Sequence, residues 1–293
     1  LSLPTIAIVG AGDLGGALAS TLAMRGGAGE VRLIDESGTS AAGKALDAQQ
    51  STPVHGTSVR LTGSATLDAI EGADVVVLAD AFGAPAGPAR EHQGEAALVL
   101  LRRISTRVPS APLLLAGATH AWLVERAVSE LALPWTRVIG TAPAALAAAV
   151  RTLVGLETGA SPLDVHLAIT GLPPAHLVIA WESASLAGAS LTAHLDYEAR
   201  ARIARRLPLL WPPGPIALAA AAAAAIDALT RGSHRPQFAC LAMDESLGAA
   251  AGGSRSRRAI VVQAWFTGAG VARVTLPDLS TQERLALDNV RLR

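Results

Sequence analysis

The chain has 293 residues, enough for one or two domains with a large core. Hydrophobic residues make up 51% of it and charged residues 16%, which suits a well-buried α/β protein. The 24 basic and 24 acidic residues cancel, so charge gives no reason to expect nucleic acid or an anionic membrane surface as a partner.

One cysteine, Cys240, excludes internal disulfides and agrees with a reducing, cytoplasmic setting. The opening Leu1-Ser2-Leu3-Pro4 runs straight into a strand pattern, not into a signal peptide. The longest apolar stretch, Ile216 to Ile226, is mostly alanine and stops at Asp227, so it reads as a buried helix and not as a membrane span. Lys44 is the only lysine, and with the alanine excess this reads as a compositional bias.

The first strand pattern, Thr5 to Val9, leads into Gly10-Ala11-Gly12-Asp13-Leu14-Gly15 and then into a small and apolar helix pattern. A second apolar run, Val31 to Asp35, ends twenty residues after Gly15. Together these form a dinucleotide-binding fingerprint. Gly10 permits the tight turn, Gly12 lets the backbone approach a pyrophosphate, and Gly15 allows close helix–strand packing. The helix N-terminus offers N–H groups to the phosphates. Asp35 suits the adenosine ribose hydroxyls and repels a 2′-phosphate, favouring NAD(H). Asp13 can cap the helix with its own carboxylate, in competition with a phosphate. Leu14, with Ala79 and Ala81 at the end of the fourth strand, completes the expected NAD-binding positions.

Further along, Ser40 to Gln50 reads as a helix with Pro53 just beyond it. Ser58 to Gly63 is strand-like, and Asp74 to Ala79 is a nearly continuous apolar run, as expected of a strand buried on both faces. A Gly/Pro-rich loop, Asp80 to Ala89, ends at Arg90. The helix Glu91 to Val108, the strand Pro112 to Ala116, the helix His120 to Leu131 and the strand Arg137 to Gly140 follow. Six parallel strands with crossover helices make a doubly wound Rossmann sheet over residues 1–141.

Residues 142–293 read as a separate α+β domain. An Ala-rich helix covers Ala142 to Val154. Val165 to Thr170 and Leu177 to Trp181 are neighbouring strands around a turn. Asp196 to Leu207 and Pro215 to Leu229 are helices. Gln237 to Met243, Ala259 to Phe266 and Val271 to Thr275 are antiparallel strands. Ser280 to Leu292 is an amphipathic helix with Ser280 as N-cap and Glu283 at the capping-box position.

Five stretches now stand in a familiar order: IAIVGAGDLGG, GKALDAQQ (Gly43 to Gln50), GADVVVLAD (Gly72 to Asp80), RVIGTAP (Arg137 to Pro143) and LPDLSTQERLALDNVR. In them the chain resembles the lactate/malate dehydrogenase family over nearly its whole length. The resemblance implies an NAD-dependent oxidoreductase of small 2-hydroxy acids, working as a dimer or tetramer.

The family's chemistry needs a histidine oriented by an aspartate, an arginine clamping the substrate carboxylate, a second arginine polarising the carbonyl and an asparagine holding the substrate oxygen. Arg90 matches the polarising arginine, twelve residues along the loop counted from Ala79. The substrate-selecting position is Ala84. Gly117 and Ala118 stand where the family has Asn-Pro, and the chain's only asparagine is Asn289. Leu146 holds the aspartate position and Ala149 the clamp position. Gly171 and Trp181 keep the histidine motif's ten-residue interval, with Pro173 in the place of the histidine.

Only Arg90 of the expected set remains. His176 and His120 are the nearest substitutes, and His120 is the better placed. No nucleophile elbow, P-loop or metal motif is present. Two readings follow. One is a family member that keeps the fold and NAD(H) but has lost the usual catalysis, acting as a binding or scaffold protein. The other is an active oxidoreductase on an uncharged carbonyl compound, using Arg90 and His120.

Overall fold

The computed structural model describes residues 3–82, 91–174, 176–244 and 257–291. Its first half alternates strands and helices: β1 (Thr5–Val9), α1 (Asp13–Arg25), β2 (Glu30–Ile34), α2 (Gly38–His55), β3 (Arg60–Ser64), β4 (Val75–Leu78), α3 (Gly94–Arg107), β5 (Leu113–Leu115), α4 (Ala121–Ser129) and β6 (Val138–Gly140). The second half holds α5 (Ala142–Thr158), β7 (Val165–Leu172), β8 (His176–Leu186), β9 (Ala189–Ser190), α6 (Tyr197–Arg206), α7 (Pro215–Arg231), β10 (Gln237–Asp244), β11 (Arg257–Thr267), β12 (Gly270–Thr275) and α8 (Thr281–Arg291).

The first six strands are parallel, in the order β3-β2-β1-β4-β5-β6. Central β4 is buried at every position, which explains its unbroken Val-Val-Val-Leu. Alternate residues feed opposite layers. Ile6, Ile8, Val75, Val77 and Leu114 join a core shared with α1, α2 and α7. Ala7, Val9, Val76, Leu78 and Leu115 join the core on the α3 and α4 side. The period of two along a strand thus builds both cores from one sheet.

The sheet does not stop at β6. Antiparallel β10 pairs with it at Cys240 and Gly140, and the order continues β10-β11-β7-β8-β9, with β12 on β11. Gly140 makes this join possible, because a Cβ there would lie 2.9 Å from the Cys240 Cβ. The alanine-rich face of α7 lies against α1, where small side chains let two helix backbones approach closely. A third core packs α5 and α6 on β7 and β8. Among the described residues no single helix is long and apolar enough to cross a membrane.

Four elements differ from their sequence expectation by three residues or more; one is α5, expected over 142–154, which runs on to Thr158. The helix expected over 40–50 runs from Gly38 to His55, with Pro53 inside its last turn. Proline removes the N–H that would reach the Gln49 carbonyl. The Thr52 hydroxyl donates to that carbonyl instead, at 2.8 Å, and left-handed Gly56 closes the helix. The helix expected from Glu91 starts at Gly94, because Glu91 binds the turn before α4. The strand expected over 177–181 runs on to Leu186 as β8. The capping box on α8 is present: Ser280 N–H donates to Glu283 Oε2 at 2.8 Å, and Glu283 N–H to Ser280 Oγ at 3.4 Å.

Candidate functional site

The β1–α1 turn holds the glycine cradle expected of a dinucleotide site. Gly10 has φ +96°, and a Cβ on it would lie 2.2 Å from the Asp80 carbonyl oxygen. A Cβ on Gly15 would lie 2.0 Å from the Gly10 carbonyl oxygen. Only glycine fits at either position. Gly12 is the N-cap of α1 and carries no side chain to satisfy the helix end. Asp35, just past β2, is buried; its Oδ2 accepts the Ala11 N–H at 2.8 Å and its Oδ1 the Ser37 N–H at 2.9 Å. That ties the acidic residue to the glycine turn. Buried Ala79 and half-buried Ala81 flank Asp80 beside this turn.

Asp13 does not cap α1. It is the first helical residue and is exposed. The cap comes from Asp80, whose Oδ2 accepts the Gly15 N–H at 2.7 Å and whose Oδ1 faces the Leu14 N–H at 3.4 Å. Asp13 cannot fill this role because its side chain starts on the helix, beside the donors and not beyond their tips. Lys44, from α2, lies over the same turn and donates to the Gly12 carbonyl at 2.6 Å. The cradle and Asp35 therefore fit a dinucleotide, while the phosphate end of the helix already faces an internal carboxylate.

A second concavity lies where β5, β6 and the β7–β8 turn meet. It is a small cleft of about 20 Å³, room for roughly one water molecule in this structure. Gly117, Ala118, Ala142, Pro143, Pro173 and Trp211 line it, with Leu172, Ala121 and Gly140. Cys240 and His120 are its titratable groups. Burial pushes the Cys240 thiol up to about 12, so it stays protonated. Leu146 and Ala149 are not on the lining; they stand at i+4 and i+7 from Ala142, on the same face of α5. Arg90 and Ala84 lie outside the described residues.

His120 is 1% exposed. Its Nδ1 accepts the Gly117 N–H at 3.2 Å, so the neutral ring carries its hydrogen on Nε2. Burial pushes its pKa down to about 4 against a weaker pull from Glu91, which keeps it neutral near pH 7. Nε2 has no hydrogen-bond partner among the described residues and lies 3.9 Å from Glu91 Oε2. In this state His120 is a hydrogen-bond donor and not a base. Glu91 fills the space that Gly117 leaves: a Cβ on Gly117 would lie 2.6 Å from Glu91 Cδ and 2.7 Å from His120 Cε1. The Glu91 carboxylate accepts the Ala118 N–H at 2.6 Å, the Thr119 N–H at 2.8 Å and the Thr119 hydroxyl. His176 sits across the β7–β8 hairpin, opposite Leu172, and is not on the cleft lining.

Sequence reasoning missed Asp80 and Glu91 as site residues. One signal was available: Asp80 ends an entirely apolar strand directly beside the glycine turn, and a carboxylate there needs donors. Glu91 carried no local signal, because its partners arrive only through the fold.

A family model for the lactate/malate dehydrogenase NAD-binding domain matches residues 5–109. The malate dehydrogenase of Thioalkalivibrio sulfidiphilus is 30% identical over 205 residues, covering 69% of this chain and 67% of that protein. That of Neorickettsia sennetsu is 26% identical over 193 residues, covering 64% of this chain and 60% of that protein. The matched sequence thus spans roughly three fifths to two thirds of these relatives. Among solved structures, the Cryptosporidium parvum lactate dehydrogenase complexed with lactic acid and nicotinamide adenine dinucleotide superposes with a TM-score of 0.86 at 21% identity, covering 100% of this chain and 96% of that one. The Aeropyrum pernix malate dehydrogenase gives 0.82 at 20% identity, covering 97% and 94%.

Proposed function

The chain belongs to the lactate/malate dehydrogenase family, and from that premise we propose that it binds NAD(H) but has lost 2-hydroxy acid dehydrogenase chemistry, acting as a binding or scaffold protein. Residues 1–141 form the dinucleotide half and 142–293 the substrate half. Gly10, Gly12, Leu14, Gly15, Asp35, Ala79 and Ala81 hold the cofactor in this reading, with Asp13 at the rim of the turn. Homodimeric or homotetrameric assembly and cytoplasmic residence belong to the same reading; the single, buried, free Cys240 supports the second.

One observation carries the loss of chemistry. Among the described residues, the cleft lining offers no carboxylate, guanidinium or amide side chain. A 2-hydroxy acid brings a carboxylate that must be clamped, and a hydroxyl whose proton must leave. Bound NAD(H) supplies a hydride donor or acceptor, but the protein has to supply those other groups. Gly117, Pro173, Leu146 and Ala149 cannot. With purified protein, NADH and millimolar pyruvate or oxaloacetate, we expect no loss of NADH absorbance and a thermal stabilisation by NADH. Robust turnover overturns the loss of chemistry; no stabilisation at millimolar NADH overturns the cofactor.

The unpartnered Nε2–H of His120 favours a second reading. A neutral imidazole donor in an apolar cleft suits the oxygen of an uncharged carbonyl compound, with Arg90 as its helper. NADH-dependent reduction of uncharged aldehydes or ketones, abolished by His120→Phe, would establish it.

A further inference from the structure

The N-terminus of α1 is the end a helix offers to anions. In this chain a carboxylate is already there. Asp80 reaches across from the end of β4, is 5% exposed, and takes the Gly15 N–H at 2.7 Å with the Leu14 N–H at 3.4 Å. The backbone around it is fixed, because the Gly10 turn packs directly on the Asp80 main chain. The charged groups facing it are Lys44 on α2 and Asp13 on α1; the nearby titratable His92, before α3, accepts the Phe82 N–H two residues past Asp80. Lys44 directs its ammonium to the Gly12 carbonyl and not to Asp80, so the two donors from α1 are what hold the carboxylate.

We propose that Asp80 is an internal anion that competes with a dinucleotide's pyrophosphate for the N-terminus of α1, so that dinucleotide binding is coupled to neutralisation of the Asp80 carboxylate. The inference rests on the dinucleotide reading above and sets how tightly, and at what pH, that site works. Two anions on one buried helix end repel, and the group that can take a proton does so. The pyrophosphate diester holds its charge across the ordinary pH range; Asp80 does not have to. Burial, opposed by the Gly15 and Leu14 hydrogen bonds and by Lys44, already pushes Asp80 above the usual carboxylate pKa. A bound pyrophosphate pushes it further, so binding takes up a proton and tightens as pH falls. Without ligand, the same carboxylate satisfies the helix end and keeps the turn folded.

The test is calorimetry of the full chain with NAD⁺, ADP-ribose and adenosine between about pH 8 and about pH 5.5. ADP-ribose keeps the pyrophosphate and lacks the nicotinamide; adenosine lacks both. Wild-type protein should bind NAD⁺ and ADP-ribose about tenfold more tightly at the acid end, while adenosine is unaffected. At the alkaline end, Asp80→Asn should bind ADP-ribose about tenfold more tightly than wild type, with a flattened pH profile. The flattening separates Asp80 from His92, whose protonation would persist in the variant. Should Asp80→Asn fold poorly, proton uptake by the wild type, read in buffers of different ionisation enthalpy, tests the same point. Equal ADP-ribose binding by wild type and variant, or a wild-type affinity independent of pH, overturns the role of Asp80 and leaves the dinucleotide reading standing. Failure of both proteins to bind any of the three ligands at any pH overturns both.

Discussion

The β1–α1 turn and the small cleft beside β5 and β6 differ in what their polar groups do. At the β1–α1 turn, buried carboxylates keep backbone partners: Asp35 with Ala11 and Ser37, Asp80 with Leu14 and Gly15. At the β5–α4 and β7–β8 turns the cleft is lined by glycine, alanine, leucine and proline with one neutral histidine, and the carboxylate there, Glu91, binds the β5–α4 turn from off the lining. The difference follows from what each residue does for folding. Gly10 and Gly15 leave no room for a Cβ, whether or not a ligand binds. Their retention reports packing at least as much as cofactor binding. A catalytic carboxylate, guanidinium or amide in the cleft makes no such packing demand, so it can be replaced once its chemistry is not required. A preserved glycine fingerprint is therefore weaker testimony to function than a preserved proton-transfer pair.

The largest way to break this comparison is Gly10→Ala. A Cβ 2.2 Å from the Asp80 carbonyl, at φ +96°, should cost about 4 kcal/mol in urea unfolding of the ligand-free protein. A negligible loss would return the glycine to a purely ligand-binding role. Next comes the histidine of the apolar end. His120 titrates near 4 in the folded chain against about 6.5 in the unfolded one. The unfolded state therefore binds the proton first, and its stabilising contribution is complete above about pH 6.5 and lost as pH falls toward 4. The loss should be on the order of 3 kcal/mol, and His120→Phe should flatten it. A wild-type profile already flat across that window would mean that water reaches the ring.

A smaller effect sharpens the comparison from the other side. Gly117→Asn restores the residue type the family uses, but its Cβ meets Glu91 and His120. We expect a loss of about 2 kcal/mol and no gain of pyruvate or oxaloacetate reduction, because the Glu91 and His120 side chains occupy the space an asparagine would need. A gain of turnover without destabilisation would show that the cleft can still accommodate the family's residue. The smallest effect is kinetic. Cys240, at the seam of β6 and β10 under the cleft, is buried with its thiol pushed up to about 12. Alkylation near neutral pH should require unfolding, and rapid labelling of the native protein would mean that the seam opens.

Much of the first half was legible because its strands alternate with helices and β4 is apolar throughout, the pattern of a parallel sheet joined by crossover helices. The reach of α2 past Pro53 was not, since it depends on the Thr52 hydroxyl taking the place of a backbone donor. The apolar character of the substrate end was readable from Gly117 and Pro173 in their bracketed intervals. His120 was readable as the better-placed histidine, but its neighbour Glu91 was not, because the pair forms across a turn that Gly117 permits.

The sequence by itself determined a glycine turn between strand and helix and an acid at the end of β2. Only the tertiary structure decided which carboxylate meets the helix N-terminus. Asp13 is adjacent in the chain but is the first residue of the helix and exposed, while Asp80, 65 residues from Gly15, is carried to the helix end by the pairing of β4 with β1. Sequence proximity sets what a side chain can reach along its own element. Strand pairing sets which side chain arrives at the open end of the helix, within reach of its free N–H groups, and the hydrogen bonds form there.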